Sequence, residues 1–388
     1  MSTSSAGSAV APRGEALLGA EPAPASTTFA DRVVTTRQIV WWSLGLFALG
    51  RVLLLLTASA ISASDHLGVT LILRSWDGRY YMYLTHWGYP TTTRLLPAKP
   101  DAFFPLYPIL SHLTHEVTRL PWLDSAIAVS WVGGGALVVV GALLARSVWG
   151  PERALQAAML LAVFPGSVVS GLPYADPLGL ALAAGCLLLC GRHRYGWAAL
   201  AAFGATLTFS LALAPLCAVS AWLFFFERRR KALVVGAAAG LGALSFWGYL
   251  WWHVGTPLIW FRLERVKWHS GFGVSLTHGT IWALRSNVYA GTITAACLLV
   301  AVAGLVWLWQ SPAPRTWVVF AGTVFAISML DKGTWLTPRL LYAMFPAMLA
   351  VGARIRAEWR YPMVVISLLC LCLCLAIYAP QNWIFFNP

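Results

Sequence analysis

The sequence predicts an all-α polytopic membrane protein, and three observations carry that prediction. Hydrophobic residues make up 59% of the 388 residues and charged ones only 11%, where a soluble domain carries about a quarter charged residues. Mean hydropathy is +0.70. Apolar runs of about 18 residues or more recur along the chain, each long enough to cross the hydrocarbon as a helix. Together they describe one bundle of spans and leave no room for a large soluble catalytic domain.

The elements follow in order. Residues 1–30 are rich in Ala, Ser, Pro and Thr and are expected to form a disordered cytoplasmic tail; they lack the pattern of a signal peptide. Residues 31–388 are expected to form a single integral membrane domain. Arg32 and Arg37 precede the first apolar run, 39–60, which places the N-terminus in the cytoplasm. Residues 61–125 are the longest polar stretch and are expected to be a large first extracytoplasmic loop. Residues 126–148 return to Arg146 and Arg153, and 154–170 go out. Pro173-Tyr174-Ala175-Asp176-Pro177 is a turn, and 178–191 come back to Arg192-His193-Arg194.

Residues 196–226 are too long for one span and short for two. Arg194 on one side and Arg228-Arg229-Arg230-Lys231 on the other both read as cytoplasmic, so a short hairpin around Pro215 is expected, with irregular backbone sheltered by protein. Residues 232–252 cross outward to an outer loop, 253–286. In it Phe261-Arg262-Leu263-Glu264-Arg265-Val266-Lys267-Trp268 predicts an interfacial amphipathic helix. The runs 288–309, 316–330, 336–353 and 362–379 complete about eleven spans and leave the C-terminus outside. No internal repeat stands out, which disfavours a transporter built from duplicated halves. The seven cysteines all fall in apolar runs and read as small core residues, with neither a disulfide framework nor a metal site.

The formal net charge is +13. In a membrane chain its first explanation is the Lys and Arg excess of cytoplasmic loops, so no nucleic-acid partner is expected. Arg74, Arg79, Arg94, Lys99, Arg119, Arg262, Arg265, Lys267, Arg285, Lys332 and Arg339 do not fit that explanation, because the topology puts them outside. Snorkelling at span ends explains part of the set. An anionic ligand at the outer face, a phosphate or lipid headgroup, explains the rest. Arg339 begins an apolar helix within Thr337-Pro338-Arg339-Leu340-Leu341-Tyr342, and a cation there opposes the helix dipole, which calls for an anionic partner.

Of the outer acidic residues, only Asp77 and Asp176 sit in aromatic, Pro-punctuated contexts near membrane level. A carboxylate facing a basic, aromatic-walled pocket suits general base chemistry. Residue types equally allow an interfacial loop with an aromatic belt, an ion pair of Asp77 with Arg74 or Arg79, and a helix-capping role for Asp176. The mid-span positions are almost uncharged and the polar groups gather at one face, which favours chemistry at an interface over conduction.

Several segments in chain order resemble the PIG-V type mannosyltransferases, of the GT-C superfamily of membrane glycosyltransferases. They are Arg74-Ser75-Trp76-Asp77-Gly78-Arg79-Tyr80-Tyr81, His86-Trp87-Gly88-Tyr89 and Ala102-Phe103-Phe104-Pro105-Leu106-Tyr107-Pro108. Phe164-Pro165-Gly166-Ser167 with Tyr174-Ala175-Asp176, Gly255-Thr256-Pro257-Leu258, and Pro338-Arg339-Leu340-Leu341-Tyr342 through Phe345-Pro346 follow. The resemblance implies a GT-C-like bundle whose large first outer loop carries the catalytic carboxylate, here Asp77. It implies a polyprenyl-phosphate sugar donor, mannose in the best-known members, and a lipid or glycan acceptor, with inversion and Asp77 as base. The implied substrate-binding set is Arg74, Trp76, Arg79, His86, Tyr89, Phe104, Tyr107, Tyr174, Asp176, Arg339 and Tyr342, with Arg339 toward the donor phosphate. No cofactor and no metal are expected, since Arg can supply the positive charge.

The expected location is a bacterial plasma membrane, with the active face extracytoplasmic. One motif departs: many relatives carry an Arg-Ser/Thr-Asn-Gly-like sequence in the central hairpin, where this chain has Thr208-Phe209-Ser210-Leu211-Ala212. That departure keeps a catalytically silent partner in a glycosylation complex as an alternative, beside a transporter or flippase of a lipid-linked substrate.

Overall fold

The computed structural model describes residues 34–90, 102–256, 258–267, 285, 288–330 and 336–378. The expected tail 1–30, Arg94, Lys99, Pro257, Trp268 and Lys332 lie outside the described residues. Among those described there is no strand.

The first helix, α1 (Thr36–Asp65), starts where a capping box forms: the Gln38 N–H donates to the Thr35 hydroxyl, and the Thr35 N–H to the Gln38 side chain. The described part of the expected first outer loop is largely helical. It folds into α2 (Val69–Leu73), α3 (Asp77–Trp87) and α4 (Leu106–Thr118). The last two turn a narrow apolar face inward, α3 through Tyr80, Tyr81 and Leu84, and α4 through Tyr107, Pro108 and Ser111. Gly88, at φ 71°, ends α3.

Next come α5 (Trp122–Trp149) and α6 (Pro151–Val163), whose residues Ala154 to Val163 are all buried. Small side chains let these helices close on their neighbours. A Cβ on Gly352 would lie 2.6 Å from the Ala157 backbone, and one on Gly133 2.6 Å from the Leu178 backbone nitrogen. The run 154–170, expected as one span, bends by 59° into a 3-10 segment, Pro165–Gly171. Pro165 supplies no N–H and cannot continue the helix through Phe164.

After α7 (Asp176–Gly191) the chain makes α8 (Tyr195–Thr208) and α9 (Leu213–Phe225). Tyr195 at the start of this pair is within electrostatic reach of Arg229 and Glu227 beyond its end, so both arms open on the same face, as in the expected hairpin. The apex lies at Phe209–Ala212, ahead of Pro215, which continues inside α9. Next, α10 (Leu233–Val254) packs against both arms, and α11 (Ile259–Lys267) occupies the segment expected to be amphipathic. Finally come α12 (Val288–Gln310), α13 (Arg315–Leu330), α14 (Pro338–Ala343), α15 (Phe345–Arg354) and α16 (Arg360–Tyr378). The expected span 336–353 is thus two helices broken at Met344.

Among the described residues five helices are long and apolar enough to cross a membrane, six if the bent pair is one span, and three further apolar helices are shorter. The protein is an integral membrane protein. A total of about eleven passes goes further than helix length and composition establish.

Candidate functional site

Three helix beginnings meet at one place. Asp77 is the first residue of α3, Asp176 the first of α7, and Arg339 the second of α14. The two carboxylates gain from the positive ends of their helices, whereas Arg339 sits against its own. The structure pairs them. Arg339 Nε donates to Asp176 Oδ1 at 2.6 Å and Nη2 to Asp176 Oδ2 at 3.0 Å. Arg339 Nη1 donates to Asp77 Oδ2 at 2.5 Å. The anionic partner that the helix dipole calls for is therefore intramolecular and double. Arg74 and Arg79 do not pair with Asp77.

The two carboxylates are not equivalent. The Asp176 side chain is 2% exposed and both its oxygens are held by Arg339. The Asp77 side chain is 19% exposed, and its Oδ1 makes no hydrogen bond among the described residues. The Arg339 side chain is 28% exposed, and its guanidinium has spent three of its five N–H donors.

Aromatic residues build the walls. The Tyr174 ring lies under the guanidinium, 5.0 Å from its carbon. The Tyr174 hydroxyl accepts from the Asp77 N–H at 3.2 Å and donates to the Ser75 carbonyl at 3.3 Å, which anchors the start of α3. Trp76, just before Asp77, has φ 57° and ψ −125°, a strained backbone for a bulky residue, costing about 1–3 kcal/mol. Behind Tyr174, Ser130 of α5 accepts from the Tyr174 N–H at 3.2 Å and shares a 2.8 Å hydrogen bond with the Tyr107 hydroxyl, which also donates to the Ala126 carbonyl. Burial, then the charges of Asp176 and Asp77, push the Tyr81 phenol well up; burial does the same for Tyr107.

Of the residues singled out in the sequence, Asp77, Tyr174, Asp176 and Arg339 converge, with Trp76 and Tyr107 in support. The others lie elsewhere. Arg74 is exposed and bonds the Thr70 carbonyl; Arg79 is exposed and lies over the Tyr80 ring. His86 and Tyr89 line a separate half-open cavity of about 610 Å³ between α3, α4, α8 and α10. Phe104 packs against Phe246 and Trp260 nearby. Tyr342 is fully buried against Phe164. Sequence reading missed Ser130, which carries no motif, and Arg51, a cation in the middle of the first apolar run that is 1% exposed. Arg51 breaks the near absence of mid-span charge, and the run itself was signal enough to find it. Among the described residues no group of three or more His, Cys, Asp or Glu converges as a metal ligand set.

No protein-family model and no curated protein sequence matches the chain. Solved structures do. ArnT from Cupriavidus metallidurans, bound to undecaprenyl phosphate, superimposes with a TM-score of 0.55 at 18% identity. The match covers 86% of this chain and 64% of that one, so this chain spans just under two-thirds of ArnT's length. The oligosaccharyltransferase AglB from Archaeoglobus fulgidus, in complex with an inhibitory peptide and a dolichol-phosphate, gives a TM-score of 0.48 at 13% identity, covering 88% of this chain and 56% of that one. The chain has the all-helical fold of the GT-C membrane glycosyltransferases.

Proposed function

We propose that this protein is a membrane glycosyltransferase of the PIG-V type. It moves a sugar, mannose by its motifs, from a polyprenyl-phosphate donor to a lipid or glycan acceptor on the extracytoplasmic face. The observation that carries the reading is the unequal hold of one arginine on two carboxylates. Asp176 is fully spent on positioning Arg339, while Asp77 is reachable and keeps an oxygen free. The undecaprenyl phosphate bound by ArnT, which shares the fold, agrees in ligand class.

In the proposed reaction Asp77 Oδ1 takes the proton of the acceptor hydroxyl as its oxygen attacks the anomeric carbon. The bond between that carbon and the phosphate oxygen breaks, and the polyprenyl phosphate leaves with the electron pair. Direct displacement inverts the configuration. A phosphate leaving group needs no second carboxyl as acid, unlike the paired carboxyls of glycoside hydrolases. The two unspent N–H donors of Arg339 receive the charge that develops on the phosphate. The chain's own guanidinium fills the role a cation would have, so we propose no cofactor and no metal.

The test combines purified protein, radiolabelled polyprenyl-phosphate mannose and membrane lipid extracts, with Asp77→Asn beside wild type. The amide keeps an acceptor for Arg339, so the variant should stay folded while turnover falls about 100- to 10,000-fold. Normal turnover by Asp77→Asn sinks the assignment. A second reading draws on the same cluster: three bonds from one arginine staple α3, α7 and α14 together, as a silent structural partner also requires. Absence of transfer by folded wild type, with mannose and with other polyprenyl-phosphate sugars, would favour it.

A further inference from the structure

Arg51 lies in α1, inside the bundle, and is 1% exposed. A cation at the centre of a membrane helix costs about 2.5–3.5 kcal/mol even on insertion scales. Its compensation is small. Nη2 donates to the Ser167 hydroxyl at 2.9 Å, and the guanidinium lies 4.4 Å from the centroid of the Phe47 ring. Nε and Nη1 have no partner, and no carboxylate is in ion-pairing range, among the described residues. A well-packed apolar side chain would remove the desolvation cost altogether. What Arg51 provides is then to be sought in what it holds.

Ser167 belongs to the bent 3-10 segment, Pro165–Gly171, and its N–H donates to the Phe164 carbonyl at 2.8 Å. That segment is the bed on which α14 lies. A Cβ on Gly166 would fall 1.9 Å from the Pro338 carbonyl oxygen and 2.9 Å from the Tyr342 Cβ, so only glycine admits the contact. The Phe164 and Tyr342 rings stack nearly parallel, 6° apart. Tyr342 is fully buried, within electrostatic reach of Arg51, and follows Arg339 by one helical turn on the same face. Arg51 therefore holds one partner of the contact that fixes where Arg339 emerges by a hydrogen bond, through Ser167, and acts on the other, Tyr342, electrostatically.

We propose that Arg51 is a positioning residue. From inside the first span it fixes the Pro165–Gly171 segment and, through Gly166 and Tyr342, the turn of α14 that presents Arg339 to Asp77 and Asp176. Its consequence for turnover rests on the glycosyltransferase reading; its structural part does not.

The experiment is hydrogen–deuterium exchange on the full chain in detergent, with Arg51→Met and the milder Ser167→Ala beside wild type, followed by donor kinetics. Peptides over 164–172 and 336–344 should exchange about tenfold faster in Arg51→Met and less so in Ser167→Ala, as expected when a charged hydrogen bond restraining local opening is lost. Peptides from α10 should not change. The kcat should fall in the same order while the KM for donor moves less. Unchanged exchange in both segments overturns the proposal. So does a rise spread evenly over all peptides of both variants, which would make Arg51 a general stability residue. If wild type transfers no sugar, the exchange result still decides the position of α14, and the failure falls on the glycosyltransferase reading alone.

Discussion

At the scale of single residues, the site is an exercise in dividing one cation between two anions. Asp176 offers both oxygens from a buried position, and Asp77 offers one from a partly open position. The division predicts that the two asparagine variants fail differently. Asp176→Asn leaves a largely buried guanidinium short of charge and of one acceptor, and should lose about 3 kcal/mol of stability together with turnover. Asp77→Asn should lose turnover and little stability. Thermal unfolding midpoints in detergent, read beside transfer rates, check this, and equal midpoints for the two variants would refute the division. The residue types were legible in sequence, because acidic residues flanked by Trp, Tyr and Pro near a membrane are rare enough to stand out. Their mutual pairing was not, since Asp77 and Arg339 are 262 positions apart and nothing local links them.

At the scale of elements, the site depends on how closely helix starts are brought together. Gly133 lets α5 approach the first turn of α7, where a Cβ would meet the Leu178 nitrogen at 2.6 Å and its Cα at 2.8 Å. Backbone cannot yield as a side chain can, so Gly133→Val should force the helices apart and cost about 1–3 kcal/mol. Turnover should fall with it, because Asp176 opens α7. Gly135→Ala serves as the control: its Cβ would meet nothing nearer than the Leu44 side chain at 3.6 Å. Similar losses for the two variants would count against the argument. Helix positions were readable from apolar runs, and α7, α12 and α13 match the expected runs closely. The breaks at Phe164 and Met344 were hidden within such runs. Hydropathy counts apolar residues and does not register that Pro165 or Pro346 interrupts the hydrogen-bond ladder between them.

At the scale of the whole molecule, the charge clusters and the site lie at opposite ends. The helix that starts at Asp176 runs 16 residues, about 24 Å, before reaching Arg192-His193-Arg194. Tyr195, next in the chain, is within electrostatic reach of Arg229, so a second basic loop shares that end. The positive-inside rule then predicts that the site faces away from the cytoplasm. Cysteines introduced as Arg119→Cys and Arg229→Cys should report opposite sides. In intact cells a membrane-impermeant maleimide should label position 119 and spare position 229 above the background of the native thiols. Labelling of both from outside would overturn the orientation and, with it, the side on which the donor is used.

The sequence by itself determined the class, the order of most apolar helices, the positions of the basic loops and three of the charged residues worth watching, Asp77, Asp176 and Arg339. These follow from composition and periodicity, which act locally and are written residue by residue. Only the tertiary structure decided that Arg339 binds two carboxylates, that Asp176 is consumed where Asp77 stays reachable, and that Arg51 is buried against Ser167. Those are outcomes of packing helices whose starts are far apart in the chain, set by close backbone contacts at Gly133, Gly166 and Gly352 that no local pattern encodes.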